Sequence, residues 1–558
     1  MTTRPIAVIL GAVLLAAAHA AGAPTVYRNG NIYTMDPARP RAQAIAVDAG
    51  RILAVGAEAE VMSAAGAEVV DLSGATVLPG LIDAHGHIAG LGAFALGTLD
   101  LSRAASFEDV VATVKALAPE AGAGKWILGG RWDHESWAGR ALPHHSALSA
   151  ATPGTPVWLR RVDGHAALAN AEAMRLAGVN RNTKSPPGGE IIRDEQGEPT
   201  GVFVDTAMDL VEAVLPEDAR TTEDLILAAQ DLCLAAGLTG VHDAGVSPAE
   251  IEVCQRLATS GRLKLRVYAM VSAFHAPRYF AERGITVGER LTVRAAKLYA
   301  DGAMGSRGAW LLAPYADRPT ADDGSPYVGL AIMEGDRIEE LAQHGAEHGY
   351  QLCTHAIGDR ANREVLDAYE RALATRPVAD HRWRIEHAQL LSPQDIPRFA
   401  QLGVVASMQP THCTSDMRWV DARVGQERAL GAYAWASLLR AGAVIAGGSD
   451  FPVESHNPFL AIHAAVTRQN DRAEPPGGWQ PGERMTREEA LRSMTLSAAH
   501  SAFEEHEKGS LTPGKRADFI VIDRDIMTCA PGDILETRVL RTIISGEMVY
   551  ESRPRPSR

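Results

Sequence analysis

Eight short apolar segments alternate with helical patterns along the middle of this 558-residue chain, and this alternation constrains the fold more than any other feature. Strands that alternate with helices predict a parallel α/β sheet. The predicted strands are Leu81–His87, Gly240–Asp243, Arg266–Val271, Ala295–Asp301, Gln351–His355, Arg384–His387, Val404–Gln409 and Val444–Asp450. Eight such strands fit a closed (β/α)8 TIM barrel.

Both ends of the chain contain short β-rich segments that are too small to form separate cores. The first includes the turn Asn29-Gly30 between apolar runs, and the second includes Asp518–Ile522 and Val539–Ile544. Chain termini often lie close together, so the two segments can share one fold. We predict a small β-sandwich domain built from residues 24–78 and 505–558, with the barrel at 79–504.

The gap between the first and second predicted strands is much longer than a barrel requires. It contains a Pro/Gly-rich stretch from Ser185 to Gly201. Long insertions at the mouth of a barrel usually carry function. We therefore predict an insertion at about residues 120–215 that covers the mouth and shapes substrate access.

The first residues resemble a bacterial-type signal peptide. A positively charged start, Met1–Arg4, precedes an apolar run, Ile6–Ala18, and small residues follow up to Ala23. A membrane anchor is the alternative, but the apolar run is short for a span of about 20 residues. We predict a cleaved signal peptide at 1–23, a periplasmic or secreted protein, and no stable membrane span after cleavage. The net charge of −14, without a long basic run, argues against nucleic acid as a partner.

Polar side chains recur at the ends of the predicted strands. Residues two apart in a strand face the same side, so the imidazoles of His85 and His87 point together. Imidazole and carboxylate groups are ligands for zinc and similar divalent ions. The predicted metal ligands are His85, His87, Lys297, His355, His387 and Asp450. The set is large enough for one or two divalent ions per chain, with zinc the expected metal.

Lys297 requires a separate explanation, because an ammonium group repels metal ions. A lysine buried beside cations has a depressed pKa, and its neutral amine can capture carbon dioxide. The resulting carboxylated lysine would bridge two ions as a carboxylate does. The alternative is a salt bridge from Lys297 to Asp301 or to a substrate carboxylate.

The motifs around these residues resemble a known family. They are Pro79–His87, Arg161–Ala166, Lys297 with Asp301-Gly302, Thr354–Asp359, Arg384–His387, Gly448–Val453 and Pro513–Asp518. The chain resembles the amidohydrolase superfamily, specifically its amidohydrolase-3 (YtcJ-like) branch, which is similar to N-substituted formamide deformylases. The resemblance covers nearly all of the chain after the signal segment. It implies the five histidine and aspartate residues as metal ligands, with Lys297 as the bridging candidate.

The predicted function is hydrolysis of a C–N bond in a small amide, N-acyl or N-formyl compound by a metal-activated hydroxide. Asp450 is the candidate general base and acid. His165, His242 or His412 could stabilise the oxyanion, and Asp359 could orient His355. For each of these three histidines, a structural role is the alternative interpretation.

Two other functions stay open at this point. Deaminases of the superfamily have a glutamate three residues after the histidine of the fifth strand, where this chain has Gly358, and Lys297 also favours amide hydrolysis. A non-catalytic exported binding protein is the second alternative, although the ligand set is complete. The sequence is also compatible with a homo-oligomer.

Overall fold

The structure is a computed structural model that describes residues 23–62, 68–121, 124–321 and 323–553. The predicted signal peptide lies outside the described residues, apart from Ala23. Within the described ranges, no helix is both long enough and apolar enough to cross a membrane.

The centre of the molecule is an eight-stranded parallel barrel, as predicted. Its strands are Leu81–Gly86, Leu238–Val246, Arg266–Ser272, Leu291–Tyr299, Gln351–Ala356, Arg384–His387, Val405–Met408 and Ile445–Gly447. We number them barrel strands 1 to 8; each pairs with the next in parallel. The ring closes at its upper edge, where Gly86 forms a parallel bridge with Phe451 and the backbone N–H of Asp450 donates to the carbonyl of His85 (2.7 Å).

Helices surround this barrel and fix the position of its strand ends. They are Ile88–Ala95, Thr222–Ala235, Pro248–Thr259, Ala276–Arg283, Gly335–His348, Asp359–Thr375, Ile396–Leu402, Pro410–Asp416, Val420–Val424, Gln426–Ala429, Trp435–Arg440, Pro458–Thr467, Arg487–Ser493 and Leu496–Ser501. Capping boxes begin three of them, at Thr221 with Asp224, at Ser247 with Glu250 and at Thr486 with Glu489. Gly92 allows the helix Ile88–Ala95 to pack closely against the helix Thr222–Ala235, because a Cβ at this position would lie 1.9 Å from the carbonyl oxygen of Leu225.

The two ends of the chain form a β-sandwich, which confirms that part of the predicted fold. One sheet contains Arg51–Gly56, Ala44–Asp48, Thr25–Arg28 and Glu68–Asp71. The other contains Glu547–Glu551, Val539–Ile544, Phe519–Ile522, Thr76–Pro79, Asn31–Tyr33 and Arg41–Ala42. The rings of Tyr27 and Phe519 meet edge to face between the sheets, with centroids 5.0 Å apart.

The insertion after barrel strand 1 has its own six-stranded sheet. Its strands are Leu99–Asp100, Ile127–Trp132, Val157–Arg161, Ala166–Ala169, Gly189–Arg193 and Pro199–Asp205. Its helices are Phe107–Ala121, Ser146–Ala151, Ala171–Leu176 and Asp209–Glu212. The sheet starts at Leu99, well before residue 120, and the helix Phe107–Ala121 adds Val110 and Val114 to the core of the insertion.

Candidate active site

The rings of three predicted ligand histidines are each oriented by a hydrogen bond at Nδ1. The Nδ1–H of His85 donates to Glu386 Oε2 (2.5 Å), that of His87 to the carbonyl of Ala244 (3.0 Å), and that of His387 to Gln409 Oε1 (2.8 Å). Each ring is therefore held through Nδ1, and Nε2 is the nitrogen left for other partners. Ligand histidines in metal sites are oriented in this way by an acceptor behind the ring.

The carboxylate of Asp450 lies among these rings. Its Oδ1 is 3.1 Å from His87 Nε2 and 3.6 Å from His85 Nε2, and its Oδ2 is 3.7 Å from His412 Nε2. Burial opposes ionisation of Asp450, but His85 and His87 outweigh it and hold the pKa of the carboxyl well below its usual range. Asp450 and His387 both have positive φ values, 60° and 74°, which non-glycine residues adopt rarely and often at functional sites.

Lys297 points into the same group of side chains. Its Nζ lies 3.1 Å from His85 Nε2, and burial lowers the pKa of the amine. The salt-bridge alternative with Asp301 is not formed within the described residues. Asp301 instead accepts hydrogen bonds from the backbone N–H groups of Trp310, Ile357 and Gly358.

Two buried charges beneath the site were not predicted. Arg384 and Glu386 are fully buried and form an ion pair (2.7 Å) behind His85. Arg384 also donates to the carbonyl of Ala84 and to Ser407 Oγ. Glu386 thus couples the ring of His85 to an arginine that spans neighbouring barrel strands.

His355 and His165 form the side of the site that faces the insertion. Their ring centroids are 4.9 Å apart, and the Nδ1–H of His165 donates to Asp205 Oδ1 (2.6 Å). Burial disfavours the charged ring of His165, but Asp205 outweighs it and the pKa of His165 is raised. The residue next to His355 Nε2 is Asp301 (3.5 Å) rather than the predicted Asp359, which accepts from the backbone of Leu312 instead.

The structure places His242 away from the other predicted catalytic groups. It lies inside the barrel, where its ring is tilted against that of Tyr268 (centroids 5.0 Å apart) and Nδ1 accepts a hydrogen bond from Arg384 (2.9 Å). Barrel strand 2 continues to Val246, so His242 is in mid-strand below the mouth rather than at its end.

A cavity of ≈ 170 Å³ opens above these side chains. Its walls come from the barrel and the insertion: Arg131, Asp133, Arg161, Val162, Asp163, His165, Ala303, Met304, Gly305, His355, Ile357, His387, Gln389, His412, Ser415, Asp416, Arg418, Trp419, Asp450, Val453 and Glu454. His165 and Asp450 therefore line the same cavity.

The donor set fits a divalent metal ion. Two groups bring three ligand atoms within 4.8 Å of one another: His85, His87 and Asp450, and His387, His412 and Asp450. Burial lowers the pKa of His85 to about 4 and holds that of His387 well below its usual value, so both rings are neutral. Neutral imidazoles and an ionised carboxylate are the forms in which these side chains bind metal.

The sequence of this chain is similar to those of known proteins. Residues 68–550 match the amidohydrolase family. Protein LONG AFTER FAR-RED 3 of Arabidopsis thaliana is 35% identical over 94% of this chain and 91% of its own length. N-substituted formamide deformylase of Arthrobacter pascens is 31% identical over 94% of this chain and 97% of its own length.

A solved structure also shares the fold. The crystal structure of an uncharacterized metal-dependent hydrolase from Pyrococcus furiosus superimposes with a TM-score of 0.70 and 30% sequence identity. The match covers 90% of this chain and all of the archaeal one (100%).

Proposed function

This chain belongs to the amidohydrolase family and is a hydrolase, and from that premise we propose that it is metal-dependent and cleaves a carbon–nitrogen bond in a small amide, N-acyl or N-formyl compound. The observation that carries the proposal is the position of Asp450, whose carboxylate lies between two groups of histidine rings. The formamide deformylase relative supports the choice of bond, and the archaeal hydrolase supports the metal.

We propose that the metal is held by the barrel residues. In this proposal His85, His87, His387 and Asp450 would be ligands, and His355 and Lys297 lie beside them. A bound divalent ion, for which zinc is the expected choice, would activate water and polarise the substrate carbonyl. The neutral amine favoured by burial at Lys297 is also the form that reacts with carbon dioxide, which supports carboxylation of this lysine.

Proton transfer is assigned to Asp450. Its carboxylate is ionised and lines the cavity, so it can accept a proton from the attacking water. The same carboxyl then delivers that proton to the leaving nitrogen.

His165 is assigned to the substrate oxygen. Its Nδ1–H is committed to Asp205, so Nε2 is the ring atom left for the substrate. The raised pKa keeps the ring protonated at higher pH, and an Nε2–H donor stabilises the negative charge that develops on a carbonyl oxygen. His242 has no such access and is assigned no role at the reacting atoms.

Metal content and substrate scope test the proposal together. Protein purified without chelators should contain one to two divalent ions per chain by elemental analysis, and it should hydrolyse members of a panel of N-formyl and N-acyl amines. Release of ammonia from aminated heterocycles without amide hydrolysis would instead identify a deaminase. A metal-containing protein that binds the panel without turnover would be a binding protein.

We also propose that the chain is exported, on the basis of the segment at residues 1–23. Cell fractionation after expression in a Gram-negative host should place the protein in the periplasm with its N-terminus near Ala23. A cytoplasmic protein that retains Met1 would contradict export and would leave the proposed chemistry unaffected.

A further inference from the structure

We propose that Asp416 and Glu454, which we call the acidic wall, form a subsite for a cationic group on the substrate. The substrates are then small N-formyl or N-acyl amines that carry a second, protonated amine. This inference rests on the proposed function, because it names the substrate class of the same cavity.

The acidic wall belongs to the part of the cavity next to Asp450. Asp416 ends the helix Pro410–Asp416 after barrel strand 7, Glu454 lies in the loop after barrel strand 8, and both line the cavity. His412, one helical turn before Asp416, has Nε2 3.7 Å from Asp450 Oδ2. Because side chains one turn apart on a helix are neighbours, with Cβ atoms about 5–6 Å apart, Asp416 lies close to the proposed site of reaction.

Two other side chains of the cavity show, independently of the acidic wall, that it is built to hold a ligand. Asp450 and His355 both line it and are only 6% and 1% exposed. Asp450 Oδ1 and His355 Nε2 are buried and have no hydrogen-bond partner. Buried polar atoms are rarely left unpaired in native proteins. The cavity is therefore a binding site rather than a packing defect.

The three arginines that line the cavity are each held by a carboxylate. The pairs are Arg161 with Asp133 and Asp163, Arg418 with Asp133, and Arg131 with Asp100. The positive charges of the cavity are thus already compensated. An anionic substrate would have to compete with these carboxylates for the arginines.

The two carboxylates of the acidic wall have neutral donors as partners but no cation. Asp416 Oδ2 accepts from Gln389 Nε2 (2.8 Å) and from the hydroxyl of Tyr433. Glu454 Oε1 accepts from Ser415 Oγ. Within the described residues, neither carboxylate forms a salt bridge, and Asp416 Oδ1 and Glu454 Oε2 accept no hydrogen bond. One oxygen of each residue is therefore open to a ligand.

The charge around the acidic wall favours a cation. Burial raises the pKa of Asp416 to about 7, and the nearby charge of Glu454 adds to this increase and outweighs the opposing effect of Arg161. Like charges close together disfavour ionisation, and an opposite charge restores it. A cation bound between the two carboxylates would therefore be stabilised by both, whereas an anion would be repelled.

A protonated primary amine matches this subsite. It offers three N–H donors, which is enough to reach the open oxygen of each carboxylate. The cavity of ≈ 170 Å³ is smaller than the roughly 300–1,000 Å³ of pockets for drug-sized ligands, so the chain between the amide and the amine must be short. The subsite therefore selects the monoacylated form of a short diamine.

Three formamides of similar length and different charge test the assignment. They are the cationic N-formylputrescine, the neutral N-formylpentylamine and the anionic N-formyl-γ-aminobutyrate. The wild type should have the highest kcat/KM for the cationic compound and the lowest for the anionic one. In E454Q and in D416N, the ratio of kcat/KM between the cationic and the neutral compound should fall by about tenfold or more, because a partly buried charge pair is lost.

Two further variants control for charge and position. E454D keeps the carboxylate and should keep most of the preference for the cationic compound. E217Q removes one negative charge from an exposed residue that does not line the cavity, and it should leave the ratio unchanged. Circular dichroism shows whether each variant is folded, and D416N replaces E454Q in the comparison if the latter is not.

Binding of n-butylammonium provides a measurement that does not depend on turnover. Titration calorimetry on the wild type should show tighter binding of n-butylammonium than of n-butanol, and E454Q should lose this difference. Equal binding of the two compounds, or an unchanged kcat/KM ratio in both E454Q and D416N, would overturn the role of the acidic wall. Tighter binding of n-butylammonium without hydrolysis of any formamide would contradict the proposed function and leave the cation subsite in place.

Discussion

The floor and the roof of the cavity are built in opposite ways. The floor is formed by barrel residues, namely His85, His87, His387 and Asp450. The three imidazole rings are each held by a hydrogen bond at Nδ1, and Asp450 Oδ1 is buried without a hydrogen-bond partner. The roof is formed by insertion residues whose charges already have partners. Arg161, for example, is paired with Asp133 (2.8 Å) and Asp163.

The difference indicates a division of labour. Free, buried nitrogen and oxygen atoms are costly unless something binds them, so the floor is built to bind ions and to transfer protons. Charges that neutralise one another mainly set shape and position. His165 is the exception in the roof, because its pairing with Asp205 leaves Nε2 for the substrate. The predictions below test whether chemistry resides in the floor and selectivity in the roof.

The largest effect is expected for D450N. The amide keeps the size and one coordinating oxygen but removes the base, so turnover should fall by roughly 10²–10⁴. Elemental analysis of the same sample should still find at least one ion, since His85 and His87 remain. Turnover near that of the wild type would show that Asp450 does not transfer the proton, and would direct attention to His165.

E386Q should weaken metal binding by roughly 10–100-fold, the usual effect of losing the group behind a ligand histidine. The carboxylate holds the Nδ1–H of His85, and a neutral amide holds it less firmly. Competition with a chromophoric chelator measures the affinity directly. D518N is the control, because Asp518 is also a buried carboxylate paired with an arginine (Arg266, 2.7 Å), far from the site.

D205N should lower kcat/KM by about tenfold, a fraction of the 10²–10³ that loss of an oxyanion donor costs. It should also change the pH profile. Asp205 raises the pKa of His165, so the protonated donor persists as the pH rises and is lost only above that raised value. Without the carboxylate, the alkaline limb of kcat/KM should move to lower pH. An unchanged limb would mean that another group titrates there.

The smallest effect is expected for R418Q. Arg418 is 40% exposed and pairs with Asp133 across the edge of the roof, and such pairs contribute about 0.2–1 kcal/mol. KM should change by no more than about fivefold, with kcat and metal content unchanged. R51Q removes a comparably exposed pair with Glu507 in the sandwich and should leave KM unchanged. A large fall in kcat for R418Q would place chemistry in the roof.

Much of the barrel and its polar strand ends could be predicted from the sequence, because strand periodicity fixes which residues share a face. His85 and His87 follow this rule. Glu386 does not follow this rule, because in a regular strand its side chain and that of His387 would point to opposite faces. The positive φ of His387 breaks the alternation, so both side chains reach the site, and no pattern in the sequence shows that turn.

The paths of the loops explain the other differences between the predicted and the observed site. Asp359 is close to His355 in sequence. However, the residue next to His355 Nε2 is Asp301, which follows barrel strand 4 and accepts hydrogen bonds from three backbone N–H groups. His412 has no periodic signal, since it lies on a short helix after barrel strand 7. Only the three-dimensional arrangement brings it to Asp450.

The sandwich has a consequence for how the protein is made. The strand Thr76–Pro79 runs through Gly80 directly into barrel strand 1, and it pairs antiparallel with Phe519–Ile522 from the far end of the chain. On the ribosome, the early strand emerges long before its partner has been synthesised. Domains usually fold from the N-terminus during synthesis, but this β-sheet can be completed only after the last strands are released. The first strand of the barrel therefore remains without its final anchor until Phe519–Ile522 has been synthesised.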